Sequence, residues 1–297
     1  VVQGVSTRKV KRVTDQLCGK RFTKSTVSRL TTALDAQVQA WAERPLETPY
    51  PFLVVDALQV KVRRQQAIRA TTVLLAIGIR ADGIREIVGF ECCPGETGAC
   101  YQALFRQLKD RGLQGVEVVT SDAHEGLTQA IQAAFPGSIW QRCQAHFSRN
   151  VLDKTPAAVK ERMHSVLDSI LRASTPQEAR QAFETATEAL QDQAPTAFRT
   201  VEDGWEDATA VLSLPKKYRR RLRTSNMLER FIEEIRRRER VIRIFPNMDS
   251  CWRLIGALCA EQHETWSTGR KYFDMTDYEH WKQQKMSETT EDNSLAA

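Results

Sequence analysis

The sequence predicts an α/β fold, a mixed sheet with flanking helices, and three observations carry that expectation. Between 52 and 144, β-rich runs and helical periodicities follow one another in the order β-β-β-α-β-α-β. From 147 to about 205 the pattern is helical throughout, and before 44 two helical stretches precede a proline-rich break. The composition supports a core of this size: 297 residues, 41% hydrophobic, with 11 Phe and 6 Trp, suit one large domain or two smaller ones and exclude a disordered or fibrous chain.

Taken in order, residues 1–44 suggest two helices, Thr7 to Leu17 and Lys24 to Trp41, broken at Cys18-Gly19-Lys20. The second begins Thr23-Lys24-Ser25-Thr26, with hydroxyl caps and a basic first turn. A helix-turn-helix DNA-binding segment has this pattern, and so do two ordinary packed helices with a glycine break. Arg44 to Pro51 contains Pro45, Pro49 and Pro51 and reads as an extended linker. Phe52 to Val62 starts as a continuous apolar run and then alternates, as in a strand buried on both faces at one end. Thr71 to Ile79 and Glu86 to Glu91 are the next two strands, joined through the turn residues Ala81-Asp82-Gly83. A helix from Gly98 to Arg111, a strand from Val116 to Asp122, a helix from Glu125 to Phe135 and a strand from Ser138 to Gln144 complete the first part of the core, 52–146. Residues 147–215 are expected to form an all-helical insertion, with apolar spacing at Val159, Met163, Leu167, Ile170 and Leu171. The core resumes over 216–270 with a helix capped by Thr224-Ser225, whose apolar stripe is Leu228, Phe231, Ile232 and Ile235, and with a last helix near Cys251 to Trp266. The polar tail, 285–297, is expected to be disordered.

No stretch approaches the roughly 20 apolar residues of a membrane-spanning helix, and the first residues lack the charged-then-apolar pattern of a secretion signal. Seven cysteines (Cys18, Cys92, Cys93, Cys100, Cys143, Cys251, Cys259), odd in number and without regular spacing, fit reduced thiols better than a disulfide framework, so a cytoplasmic protein is expected. The chain opens at Val1 in a segment that already reads as structured, and a truncated N-terminal segment is expected.

Net charge is +6 but unevenly spread. Lys216 to Arg243 holds twelve Lys or Arg against four Glu, a surplus of eight, while the rest of the chain carries −2. The basic character therefore belongs to one local surface, which suits phosphate binding through Lys216, Lys217, Arg220, Arg236, Arg237 and Arg240. A solvated helix face with internal Glu–Arg pairs would give the same count.

Within this frame two aspartates stand out. Asp56 interrupts an apolar strand, where a carboxylate is costly unless it is paired or binds a cation. Asp122 ends the fourth strand just before a helix, where ligand sites open in α/β sheets. If the first and fourth strands are neighbours, the two would project from the same end. Close carboxylates favour a divalent cation, and an all-oxygen donor set suits Mg2+ or Mn2+ rather than zinc. Glu229, beside the apolar stripe of the late helix, offers a third acid, with Glu233, Arg236 and Arg240 along the same side. Each acid has a plainer alternative: Asp122 as a helix cap, Glu229 as a partner of Arg230 or Arg236. Cys143 and His146 form half of a tetrahedral zinc motif with no second pair in view, which favours a supporting role. His124 could approach a phosphate or be an ordinary hydrogen-bonded histidine, and Trp205 could stack on a base or fill a core.

These residues resemble those of the bacterial Mutator-like insertion-sequence transposases, of the DDE class with an RNase H-like core. The resemblance rests on Val54-Val55-Asp56-Ala57 with Lys61-Val62-Arg63, on Ser121 through Leu127, on Gln141-Arg142-Cys143-Gln144-Ala145-His146-Phe147, and on Thr224-Ser225-Asn226-Met227-Leu228-Glu229-Arg230 running to Arg238. It implies an RNase H-like mixed sheet and a DNA strand cleavage and strand-transfer activity. It further implies a catalytic, metal-holding triad of Asp56, Asp122 and Glu229, two Mg2+ (or Mn2+) ions with Asp56 between them, and supporting roles for Cys143, His146, His124 and Asn226. The partners implied are double-stranded DNA, as element ends and target, and a second copy of the chain in a homodimeric active complex, with no membrane. An RNase H-like nuclease, or a non-catalytic DNA-binding regulator derived from a transposase, would retain parts of the same pattern.

Overall fold

The computed structural model describes residues 34–284. The first N-terminal helix, the helix-turn-helix pattern and the tail 285–297 lie outside the described residues; the end of the second helix is α1 (Leu34–Ala42). The fold is α/β, centred on a five-stranded mixed sheet in the order β3-β2-β1-β4-β5. β1 (Phe52–Arg64), β2 (Ala67–Ile79) and β3 (Arg85–Cys93) form an antiparallel meander. β4 (Val118–Ser121) runs parallel to β1, and β5 (Ile139–Arg142) parallel to β4. Parallel pairs need crossovers, which α2 (Gly98–Asp110) and α3 (Glu125–Ala134) supply on one face of the sheet.

The meander is longer than the sequence pattern indicates. β1 continues past Val62 to Arg64 and turns through Gln65 and Gln66, at φ 48 and 62, directly into β2. Two left-handed residues suit the twist of a two-residue hairpin, but such turns usually announce themselves by Asn or Gly, and here neither is present. Left-handed backbone costs an L-residue roughly 1–2 kcal/mol. Gln66→Gly should therefore raise stability by about 0.5–1 kcal/mol, visible as a higher midpoint in urea unfolding; an unchanged or lower midpoint counts against the turn geometry.

The linker before β1 has no regular structure, yet it is packed rather than loose. Leu46 and Tyr50 are buried, their amides donate to the Arg111 and Gln114 carbonyls, and the Tyr50 hydroxyl donates to Glu86 at 2.6 Å.

Strand alternation sorts the two faces. Leu53, Val55 and Val119 point into the cluster covered by α2 and α3. Phe52, Val54, Leu58, Val60 and Val118 point the other way, beneath α9 (Lys216–Leu222), α10 (Asn226–Ile242), α11 (Met248–Ser267) and the segment after it. The stripe of Leu228, Phe231, Ile232 and Ile235 on α10 packs into this second cluster. Between β5 and α9 the chain makes α4 (Gln144–Asp153), α5 (Lys160–Leu171), α6 (Pro176–Leu190), α7 (Pro195–Glu202) and the short α8 (Trp205–Ala208), which share a third cluster of their own. Trp205 belongs to that cluster: it is 7% exposed and stacked on Phe183, so of its two readings the core tryptophan is the one observed.

The cap of α10 differs from expectation. Ser225 holds the N-cap position, but its side chain makes no capping hydrogen bond. The hydroxyl instead lies 3.4 Å from the Cys143 sulfur. Both groups are fully buried, and they meet across 82 residues of chain.

Candidate active site

The parallel register brings the two aspartates together. Phe52 pairs with Val118 and Val54 with Thr120; the same offset carried two residues further sets Asp56 beside Asp122. Both have the parity of Val54 and Val118, so both face α9 and α10. Thr120, on that face, donates to the Leu222 carbonyl at 2.6 Å and ties β4 to the end of α9. Each aspartate accepts the next residue's amide, Ala57 at 2.8 Å within β1 and Ala123 at 2.7 Å just past β4, which holds its carboxylate in place.

The electrostatics of Asp56 follow from its position. Burial pushes its carboxyl up, and the Glu229 carboxylate adds to this; the Ala57 amide, the His146 ring and the Ser225 hydroxyl work against it. No Lys or Arg among the described residues lies within ion-pair distance of Asp56 or Asp122. A half-buried acid without a Lys or Arg partner, next to a second acid, is a donor set that a divalent cation fits.

Glu229 comes to the same place from α10. Its Oε1 lies 3.7 Å from His146 Nε2, and it acts on Asp56 electrostatically. Among the described residues, the three ligating side chains whose atoms all lie within 4.8 Å of one another are Cys143, His146 and Glu229, rather than the three carboxylates. Charge explains this arrangement: three carboxylates repel one another, whereas a cationic imidazole attracts Glu229. The His146 ring is pushed up to about 9, first by the Cys143 sulfur and then by Asp122 and Asp56, against its burial. Burial works to raise the Cys143 thiol, but hydrogen bonds with His146 and Ser225 outweigh it and hold the thiol below its usual range.

Cys143 is wholly buried and accepts the Ser225 amide at 3.4 Å. Close by, the Gln144 amide donates to the Arg223 carbonyl at 2.9 Å. Together these contacts join the start of α4 to the start of α10, so Cys143 positions the helix that carries Glu229. Cys143→Ala would leave a buried amide without an acceptor, at about 1–3 kcal/mol. We expect a melting temperature lower by a few degrees, with Cys143→Ser closer to the parent; equal melting of the alanine variant would contradict the pinning role.

The other residues singled out in the sequence fall into separate groups by position. His124 precedes α3 and packs against the Tyr101 ring, with its Nδ1 buried and unpartnered. Asn226 is exposed and lines a cavity on another side of α10. Lys216, Arg220, Arg236 and Arg240 are exposed. Lys217 is paired with Asp274 and Asp277, and Arg237 makes a two-pronged bond to Glu234, so these two charges are already partly neutralised. Two residues near the site carry no signal of their own in the sequence. Ser225 has the pattern of an ordinary helix cap, and Arg142, half-buried over Phe147 and within the field of Asp122, has that of a strand residue.

No helix among the described residues is long and apolar enough to cross a membrane. The family model "Transposase, Mutator family" matches residues 1–269. The chain is 40% identical over 276 residues to the transposase for insertion sequence element ISRM5 of Rhizobium meliloti, covering 93% of this chain and 69% of that one. It is 41% identical to the transposase for IS256 in transposon Tn4001 of Staphylococcus aureus (92% of this chain, 71% of that one) and 38% identical to the transposase for IS1081 of Mycobacterium tuberculosis (92% and 66%).

Proposed function

The chain belongs to the Mutator family of transposases, and from that premise we propose that it is a DDE-class enzyme with an RNase H-like core, cutting and rejoining double-stranded DNA at the acids Asp56, Asp122 and Glu229. The single observation that carries the reading is that Asp56 on β1, Asp122 just past β4 and Glu229 on α10 approach one another where the parallel pairing of β1 with β4 ends. The strand order β3-β2-β1-β4-β5, with an antiparallel meander followed by parallel β4 and β5, supports the RNase H-like assignment.

Asp56, Asp122 and Glu229 would hold Mg2+ or Mn2+, two ions in the full site. Bound there, such ions would polarise the scissile phosphate, activate a water or a DNA 3′-hydroxyl and stabilise the leaving oxygen. The chain supplies the rest. The amides of Ala57 and Ala123 hold Asp56 and Asp122, so neither carboxylate needs to reorganise. Cys143 and Ser225 anchor the first turn of α10, which holds Glu229 within reach of the strand acids. His146, charged at neutral pH beside Glu229, offsets the repulsion among the acids and is placed to hold a proton or a phosphate oxygen. Arg236 and Arg240, exposed further along α10, would contact the phosphate backbone. Joining two element ends requires two such sites, so the active complex is a homodimer.

The test is a strand-transfer assay with labelled element ends and Mg2+. Joined product is the expected result. Cleavage without joining would indicate a nuclease, and binding without cleavage would overturn the catalytic reading.

A further inference from the structure

On the far side of α10 from the acids lies a cavity of about 520 Å3, lined by Arg85, Arg220, Arg221 and Arg230 together with Trp266 and Tyr272. Asn226 and Arg230 are one helical turn apart on one face of α10, whereas Glu229 points from another. The four guanidinium groups come from three separate elements: the start of β3, the end of α9 and the beginning of α10. Among the described residues none of the four forms an ion pair with a carboxylate. The arginines at Arg44, Arg237, Arg238 and Arg253, in contrast, are all so paired.

Arg85 is the organised member. Its guanidinium carbon sits 4.3 Å from the centroid of the Trp266 ring and 4.7 Å from that of Tyr272, so two aromatic rings hold it in place. Arg221 stacks 4.6 Å from the Tyr272 centroid and also donates to the Tyr272 carbonyl. Burial holds Arg85 below its usual range, Tyr272 acts the other way, and the positive charges of Arg221 and Arg230 add to the lowering. Convergent and mutually repelling cations in a concave site, two of them held by aromatic rings, form a receptor for a multivalent anion. A second cavity of about 320 Å3 shares Arg220, Arg221 and Tyr272 and ends at the Lys217–Asp274 ion pair, which closes the cationic surface on that side.

We propose that this cavity is a second phosphate-binding site, which grips the sugar-phosphate backbone of the DNA away from the acids and orients the strand across α10. The inference rests on the reading of the chain as a DNA-acting enzyme, but its test needs neither metal nor cleavage. The affinity of the full chain for duplex DNA of arbitrary sequence is measured without divalent metal over a range of salt, where each phosphate contact contributes about 0.9 to the slope of log affinity against log salt. Arg230→Gln and Arg85→Gln should each reduce the slope by about 1, and the double variant by about 2. Arg162→Gln, on the distant α5, should leave it unchanged. Arg230 is exposed, so its variant keeps the test clear even if Arg85→Gln unfolds. An unaltered slope in Arg230→Gln, or an equal reduction in Arg162→Gln, overturns the proposal. So does saturable binding of pyrophosphate that both pocket variants abolish while the DNA slope stays constant, because the cavity would then serve a free phosphate compound. Failure of the parent chain to bind DNA at all would sink the functional reading instead.

Discussion

Asp56→Asn is expected to reduce Mg2+-dependent strand cleavage by about 10^3-fold or more while leaving DNA affinity nearly unchanged. The size follows from what the carboxylate would do. Metal stabilisation of the developing charge contributes several kcal/mol, and each 1.36 kcal/mol is a factor of ten in rate. Asparagine keeps the shape and can still accept the Ala57 amide, so the local strand geometry stays in place. The same substitution should raise the melting temperature of the metal-free protein, because it removes a charge that burial disfavours and no Lys or Arg compensates. The two effects together form a signature that a purely structural acid would not give, since loss of a structural salt bridge lowers stability. Retained cleavage, or a metal-free melting temperature below that of the parent, would remove Asp56 from the role assigned to it. Asp122→Asn and Glu229→Gln belong to the same assay and should behave alike in cleavage.

The largest effect on stability is expected from Phe52→Ala. Phe52 begins β1, is wholly buried and lies between three rings: Tyr278 at 4.7 Å, Phe273 at 5.7 Å and Tyr218 at 5.9 Å between centroids. These rings come from α9 and from the segment beyond α11, so this one side chain joins the central strand to elements more than 160 residues away. Replacing a buried Phe by Ala costs about 3–5 kcal/mol, a large share of the roughly 5–15 kcal/mol that holds a folded protein together. For a chain of this length that corresponds to a drop of about 10 °C in melting temperature, measurable by calorimetry. A drop of one or two degrees would mean that the rings close over the gap and that the aromatic cluster is not what fastens the C-terminal elements.

The acids are legible because chemistry and pattern disagree at their positions. Asp56 sits where the periodicity demands an apolar residue, and Asp122 where a strand gives way to a helix. The element order follows from the same periodicities. What stays hidden is set by contacts between residues far apart in sequence. Ser225 has the local marks of a helix cap, and only its proximity to Cys143 shows that it serves another purpose. Gln65 and Gln66 lack the residues that usually signal a left-handed turn, so the pattern understates the length of the meander. The linker composition indicates absence of regular structure, which is correct, but nothing local shows that Leu46 and Tyr50 fill holes beneath α2 and β3. The surplus of positive charge between Lys216 and Arg243 is plain. Its division into arginines facing a cavity, arginines paired with Glu234 and a lysine held by two aspartates depends on neighbours such as Arg85 and Asp274, which no window of sequence contains.

The bond between Gln144 and Arg223, next to the contact of Cys143 with Ser225, closes the chain on itself at the two ends of the long helical excursion. Of what lies between, α4 to α7 pack in a cluster of their own, while α9 returns to the sheet. The free energy of closing such a detour grows only with the logarithm of its length. Relatives could therefore lengthen, shorten or reshape the excursion, and with it whatever it meets, while the distance from β1 to α10 stays constant. The architecture separates the part of the molecule that can be rewritten from the part that must hold its dimensions.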